Sequence, residues 1–288
     1  MRAFLPIVLP LTACFVGSAH AQEVPTPPLA PAPAIDPGAD RISVGVGAGV
    51  MPSYIGSNES VVVPVVAVVG QIHGITFNTQ GTQLTVDVIP DSGKPGWKLQ
   101  AGPVIALRLD RNSKIRDRAV KALGKIDAAW ELGGWLGIQR TGVVTSPYDK
   151  LSLSLAWQRD VNDVYNSYIV SPQLEYSTPL STKAYVDFSL GADYVGRRFG
   201  ATYYDVTPSG SAASGLAAYD GADRAGWKDW NANLLVARSL SGDLTHGVAV
   251  FAMVNYMRLV GVYARSPIVA DVGNPSQWSG GIGIGYTF

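Results

Sequence analysis

The sequence predicts an all-β fold: an antiparallel transmembrane β-barrel of about twelve strands with periplasmic termini. Three observations carry that expectation. From Arg41 onward apolar residues alternate with small or polar ones at period two, the pattern of strands with unlike faces. Outside an amino-terminal leader, no apolar run reaches the roughly 18 residues of a spanning helix. The carboxy-terminal stretch W-S-G-G-I-G-I-G-Y-T-F is a strand whose edge must be covered, and a closed barrel covers it.

The leader has Arg2 as its basic head, an apolar stretch from Phe4 to Val16, and Ala19-His20-Ala21 as a small-x-small cleavage pattern. Cleavage after Ala21 makes Gln22 the mature start, with 1–21 a signal peptide. A second reading takes Leu11-Thr12-Ala13-Cys14 as a lipobox with Cys14 lipidated; export is common to both. Cys14 is the single cysteine, so ordinary cleavage leaves no thiol chemistry. Residues 22–40 are rich in proline and alanine, an extended periplasmic tail that cannot pair in a sheet.

Residues 41–288 form the expected barrel. Its strands fall near 41–50, 60–69, 70–78, 81–89, 97–107, 130–139, 151–158, 168–176, 183–206, 229–240, 246–257 and 278–288. The ninth is taken as one long strand bent near Gly196 and Gly200. The clearest alternation sets Leu151, Leu153, Leu155 and Trp157 against Ser152, Ser154, Ala156 and Gln158. With a periplasmic start, the three longest connections, 110–127, 207–228 and 259–277, all fall outside, and turn-sized connections fall inside. That asymmetry is the one outer-membrane barrels show.

Aromatic residues mark two interfaces: Trp130, Trp157, Tyr168, Tyr194, Trp230, Tyr256 and Trp278 at the outer strand ends, and Trp97, Tyr148, Tyr176, Tyr185, Tyr286 and Phe288 at the inner ends. The lumen-facing rows carry Ser, Gly, Gln139, Gln158, Glu175, Asp187 and Asp193, a polar interior. Charged residues make up only 15% of the chain, and 22 basic residues balance 22 acidic ones. The basic excess of a nucleic-acid binder is therefore missing, and no nucleic acid is expected as a partner.

Chemistry-bearing motifs are scarce. His73 and His246 are the two histidines beyond the leader, and no G-x-S-x-G elbow accompanies them, so no catalytic residue is assigned and an acyl hydrolase is the least supported reading. Gly45-Val-Gly47-Ala-Gly49 and Gly281-Ile-Gly283-Ile-Gly285 echo a dinucleotide fingerprint, but neither opens a helix. No cofactor or metal is expected. The connection 110–127 concentrates Arg111, Lys114, Arg116 and Arg118 and has the spacing of a short helix. These four are candidates for contact with lipopolysaccharide phosphates at the outer leaflet, and a plain solvated basic loop is the competing reading.

Several stretches belong together. P-S-Y-I-G-S (52–57), Y-Y-D-V-T-P (203–208), S-G-L-A-A-Y (214–219), A-R-S-P-I-V (264–269) and the ending G-I-G-I-G-Y-T-F resemble the MipA/OmpV family of outer-membrane proteins. The resemblance runs over nearly all of 41–288, with Asp205 standing where the family pattern F-G-V-T has glycine. It implies a barrel in the outer membrane of a Gram-negative bacterium, among outer-membrane lipid and lipopolysaccharide. The barrel would scaffold murein-remodelling enzymes, a lytic transglycosylase and a murein synthase, or serve envelope integrity; a narrow porin for small solutes is the alternative. Ile282, Ile284, Tyr286 and Phe288 resemble the signal that the barrel-assembly machinery reads, and the last strand is expected to close on 41–50.

Overall fold

The computed structural model describes residues 40–90 and 95–288. The signal peptide with Ala19 and Ala21, the lipobox cysteine and the proline-rich tail lie outside the described residues. Twelve antiparallel strands close into one barrel in sequence order. They are β1 Arg41–Pro52, β2 Ser60–Ile72, β3 Ile75–Gln80, β4 Gln83–Asp87, β5 Gly96–Arg108, β6 Ala129–Thr141, β7 Lys150–Asp160, β8 Tyr168–Ser181, β9 Ala184–Val195, β10 Gly226–Ser239, β11 Gly247–Leu259 and β12 Ser276–Thr287.

Closure follows from register. β12 pairs with β1 from Ser43↔Thr287 to Val50↔Gly280, so the glycine rows of the two strands share the lumen face. Outward rows are apolar and bare: Val46, Leu153, Phe188 and Ile282 are all exposed. A surface of this kind is stable only against lipid. The expected scarcity of bulk along the β1–β12 seam is corrected. The Phe251 ring from β11 lies over it, and a Cβ on Gly283 or Gly45 would stand 2.4 or 2.9 Å from that ring. These two glycines make room for a phenyl group.

The ninth strand is shorter than expected. β9 stops at Val195, and the chain continues as α2, Arg197–Tyr204, then α3, Pro208–Ser214. Phe199, Tyr203 and Tyr204 recur at helical spacing and are all buried. Their burial off the barrel wall outweighs continuation of the strand. The strand count is unchanged because 183–206 was one strand in either reading. β3 and β4 are also shorter than the sequence suggests, with six and five residues.

One end of the barrel carries the long connections and their helices: α1 Arg118–Ala122, α2, α3, α4 Gly261–Ala264 and α5 Pro267–Ala270. The other end has short turns. The aromatic girdles are as expected with one exception. At the outer end Trp230, Tyr256 and Trp278 form a continuous row, with ring centroids 5.2 and 4.7 Å apart. Tyr286 and Phe288 pair at the inner end, 4.7 Å apart. Tyr185 does not belong to the girdle: it faces inward, 4% exposed, and packs with Ala184, Leu235 and Leu244. It shares the inward row with Asp187, two residues on, so the pleat itself forbids it the lipid face.

The turn between β6 and β7 is organised by one carboxylate. Asp149 is fully buried, and it accepts from the backbone N–H groups of Val143 (2.6 Å), Val144 (2.8 Å) and Thr145 (2.6 Å) and from the Tyr176 hydroxyl (2.9 Å). Burial alone would raise its pKa, but these donors prevail and hold it well below the usual carboxylate range. A depressed folded pKa contributes stability above the unfolded value of about 4 and loses it as pH falls toward the folded one. Asp149→Ala is therefore expected to cost about 1–3 kcal/mol at neutral pH by orphaning buried donors. In urea titrations of lipid-embedded protein across pH, that deficit should be flat above about pH 5 and shrink in acid. A deficit independent of pH would contradict this role.

Candidate functional site at the outer mouth

The long connections do not splay into solvent. They fold over the barrel end in two apolar layers. One gathers Tyr165, Phe199, Tyr203, Tyr204, Leu259 and Tyr263. The other gathers Tyr54, Ile115, Val120, Val206, Leu216 and Ile268. Edge contacts stack the rings: Tyr165 to Phe199 at 5.0 Å and Tyr204 to Tyr263 at 5.4 Å. Aromatic pairs of this geometry stabilise beyond the area they bury.

Each piece of the cap is fixed by local chemistry. Tyr54, from P-S-Y-I-G-S, is 2% exposed and donates its hydroxyl to the Ile268 carbonyl at 3.1 Å. Gly56 follows at φ +108°, where a side chain would be strained and would also meet Val269 at 2.7 Å. Gln277 holds this loop from β12, accepting from Gly56 N–H at 3.2 Å and donating to the Ser57 carbonyl at 3.0 Å. α1 is started by Asp117, which accepts from Val120 N–H at 2.9 Å, and α3 by Thr207, which accepts from Gly210 N–H at 3.1 Å. Asp205 has extended backbone at φ −78° and accepts from Ala222 N–H at 2.8 Å. That backbone conformation suits any side chain, and the carboxylate ties the loop to itself. Ser266 donates to the Tyr204 carbonyl and locks α5 onto α2.

Beneath the rings lies a belt of buried charge. Arg108 on β5 grips Glu131 on β6, with Nε 2.5 Å from Oε1, and the Tyr165 hydroxyl donates to the same oxygen at 2.8 Å. On the opposite wall a β-bulge between Trp227 and Asp229 turns Lys228 inward. Its Nζ lies 2.9 Å from Asp193 and 3.0 Å from Asp229. Phe199 hangs between the two cations, 5.1 Å from the Arg108 guanidinium and 5.5 Å from Lys228 Nζ. In the cap itself, burial raises the pKa of Asp110, while the Ile55 backbone N–H at 2.9 Å and nearby arginines oppose the rise. Burial likewise raises the Tyr54 and Tyr204 hydroxyls, keeping both protonated, and Tyr54 donates to the Ile268 carbonyl. Below the belt, Asn233 donates to Ser189 at 3.1 Å and accepts from Asn255 at 2.5 Å, continuing a polar lumen wall.

The four cations expected to meet lipopolysaccharide are not alike. Lys114, Arg116 and Arg118 are exposed. Arg111 is 5% exposed at φ +54° and donates Nη1 to the Tyr203 carbonyl at 3.1 Å, so it is a cap strut and cannot reach lipid. Ile282, Ile284, Tyr286 and Phe288 form the outward face of the closing strand. The histidines lie apart in separate inner turns. His73 donates its backbone N–H to Asp40 at 2.8 Å, and His246 is exposed with Asp243 4.0 Å away. The cap residues themselves were missed by strand counting. Their signals were present in Phe199-x3-Tyr203-Tyr204, which leaves period two for helical spacing, and in Lys228-Asp229, two adjacent charges in an alternating row.

A closed barrel with an apolar outer face, two aromatic girdles and asymmetric ends defines an outer-membrane β-barrel of a Gram-negative bacterium, here with its long connections packed together at the outer mouth. More particularly, the chain belongs to the family described as MltA-interacting protein MipA, whose model matches residues 44–288. No curated protein matches it. Among solved structures it is similar to the NanC porin, at 11% identity and a TM-score of 0.46 over 86% of this chain and 99% of that one. CymD, a monoaromatic hydrocarbon channel, gives 12% and 0.38 over 86% and 89%. An outer-membrane channel from Pseudomonas putida F1 gives 12% and 0.37 over 86% and 95%. The fold of this chain rests on its own continuous strand pairing.

Proposed function

We propose that this protein is a scaffold, which holds murein-remodelling enzymes at the periplasmic face of the outer membrane. The observation that supports it is the packed cap that the long connections form at the outer mouth. Phe199, Tyr203, Tyr204 and Tyr263 are each 1% exposed, above a charge belt whose cations are paired with carboxylates. A barrel built for steady flux would leave that end open. The family description names an interaction with MltA; the partner we propose is a lytic transglycosylase, with a murein synthase in the same assembly. The exposed Lys114, Arg116 and Arg118 contribute to the hold on lipopolysaccharide, and the outward row ending in Phe288 serves recognition by the barrel-assembly machinery.

The polar lumen wall of asparagine, serine and carboxylate side chains favours a second reading, a narrow channel for small solutes. Planar-bilayer recording separates the two. Purified protein is expected to be silent, and Phe199→Ala/Tyr203→Ala/Tyr204→Ala, which removes three buried rings, is expected to conduct. Crosslinking in the periplasm should recover a lytic transglycosylase with the wild-type barrel. Steady open currents from wild type with no such crosslink would replace the scaffold by the channel.

A further inference from the structure

At the outer rim, between the β7–β8 connection and the start of α2, lies an open groove of about 400 Å³. Trp157, Tyr168, Arg159, Arg197 and Arg198 line it, with Asn166 at its edge. We propose that this groove binds the phosphate of an outer-leaflet glycolipid, its guanidinium groups taking the anion and its rings the apolar part next to the headgroup.

Height is the first argument. Trp157 belongs to the outer girdle and is 48% exposed on the lipid side. Aromatic girdles sit where hydrocarbon gives way to headgroups. Arg159 shares the outward row of β7 and lies two residues further out, a rise of about 6–7 Å along the strand. The arginines therefore stand at the level of the lipid phosphates.

Charge is the second argument. Arg197 is held by Asp223, with Nε 2.7 Å from Oδ1. Arg159 donates to a neutral amide, Asn166 Oδ1, at 3.2 Å. Among the described residues neither Arg159 nor Arg198 has a carboxylate partner, so the groove carries two uncompensated guanidinium groups. Planar guanidinium forks match phosphate oxygens two at a time.

The start of α2 adds to this charge. Its amino-terminal cap is Gly196, which offers no side-chain hydrogen bond to the first turn. Arg197 and Arg198 are the first two residues of that helix, so the positive end of its dipole adds to their charge at the groove. The backbone is anchored from the other side by Gly196 N–H donating to the Tyr168 carbonyl at 2.9 Å, which fixes ring and helix end together. Strand counting made 183–206 a continuous strand, and in that reading no helix end exists here.

Lipid-free refolded protein in detergent, titrated with diphosphorylated lipid A and read by native mass spectrometry, tests the assignment. Arg159→Ala/Arg198→Ala is expected to weaken binding about tenfold. Arg140→Ala, at the opposite end of the barrel beside Trp97, should leave it unchanged. The heat-induced gel shift reports that each variant is a folded barrel. Undiminished binding by the folded double variant, or equal loss in the Arg140 variant, overturns the site. Retention of lipid A in millimolar inorganic phosphate supports a lipid ligand; displacement by phosphate alone overturns it in favour of a soluble anion.

Discussion

Lys228→Met is expected to destabilise the barrel by about 3–5 kcal/mol, measured by urea unfolding in lipid vesicles. Lys228 is 1% exposed and sits between two carboxylates, Asp193 at 2.9 Å and Asp229 at 3.0 Å. Asp193 has one further donor, the Ser171 hydroxyl at 2.6 Å, and Asp229 is 1% exposed. Removing the cation leaves two like charges facing each other, Asp229 buried and Asp193 only partly open to water. The loss reflects the stranded carboxylates more than the worth of the ion pairs. Lys228→Met combined with Asp193→Asn and Asp229→Asn should therefore cost less than the single change. A single variant as stable as the triple one would show that the belt is not an electrostatic unit.

The second large effect lies on the outer face. Leu153→Arg and Phe188→Arg each place a charge in the middle of the apolar band and should cost about 2–4 kcal/mol. Both side chains are exposed, Leu153 at 56% and Phe188 at 42%, so in water neither change would be costly. Ser154, the next residue along β7, points into the lumen, and Ser154→Arg should be tolerated better because the polar interior solvates it. The heat-induced gel shift reads all three. Retention of the folded band by the Leu153 and Phe188 variants, with loss for Ser154, would invert the assignment of faces.

Much of the barrel was legible because its physics is local. A strand between lipid and lumen must alternate, so Leu151 to Gln158 declares both of its faces without reference to any other part of the chain. Loop length gave the ends, and the glycine rows of β1 and β12 gave the closing pair. The outer cap was legible only in part. The segment after Val195 reads as strand by its aromatic content, and its helical spacing decides the structure only because a buried place exists for Phe199, Tyr203 and Tyr204 under the other loops. Arg111 shows the same limit from the opposite side. By composition it is one of a basic cluster, but Asp110 and the Tyr203 carbonyl draw it into the cap, away from Lys114, Arg116 and Arg118.

By itself, then, the sequence determined the strand number, the lipid-facing rows, the girdles and the strand pair that closes the wall, because period-two alternation is set residue by residue against two solvents. Tertiary structure alone decided that the long connections pack into a cap, that Lys228 turns inward at a bulge, and that Arg159 and Arg198 line one groove at the rim. Those outcomes depend on contacts between segments far apart in the chain, such as Tyr54 with Ile268 and Arg111 with Tyr203, and no local periodicity encodes them.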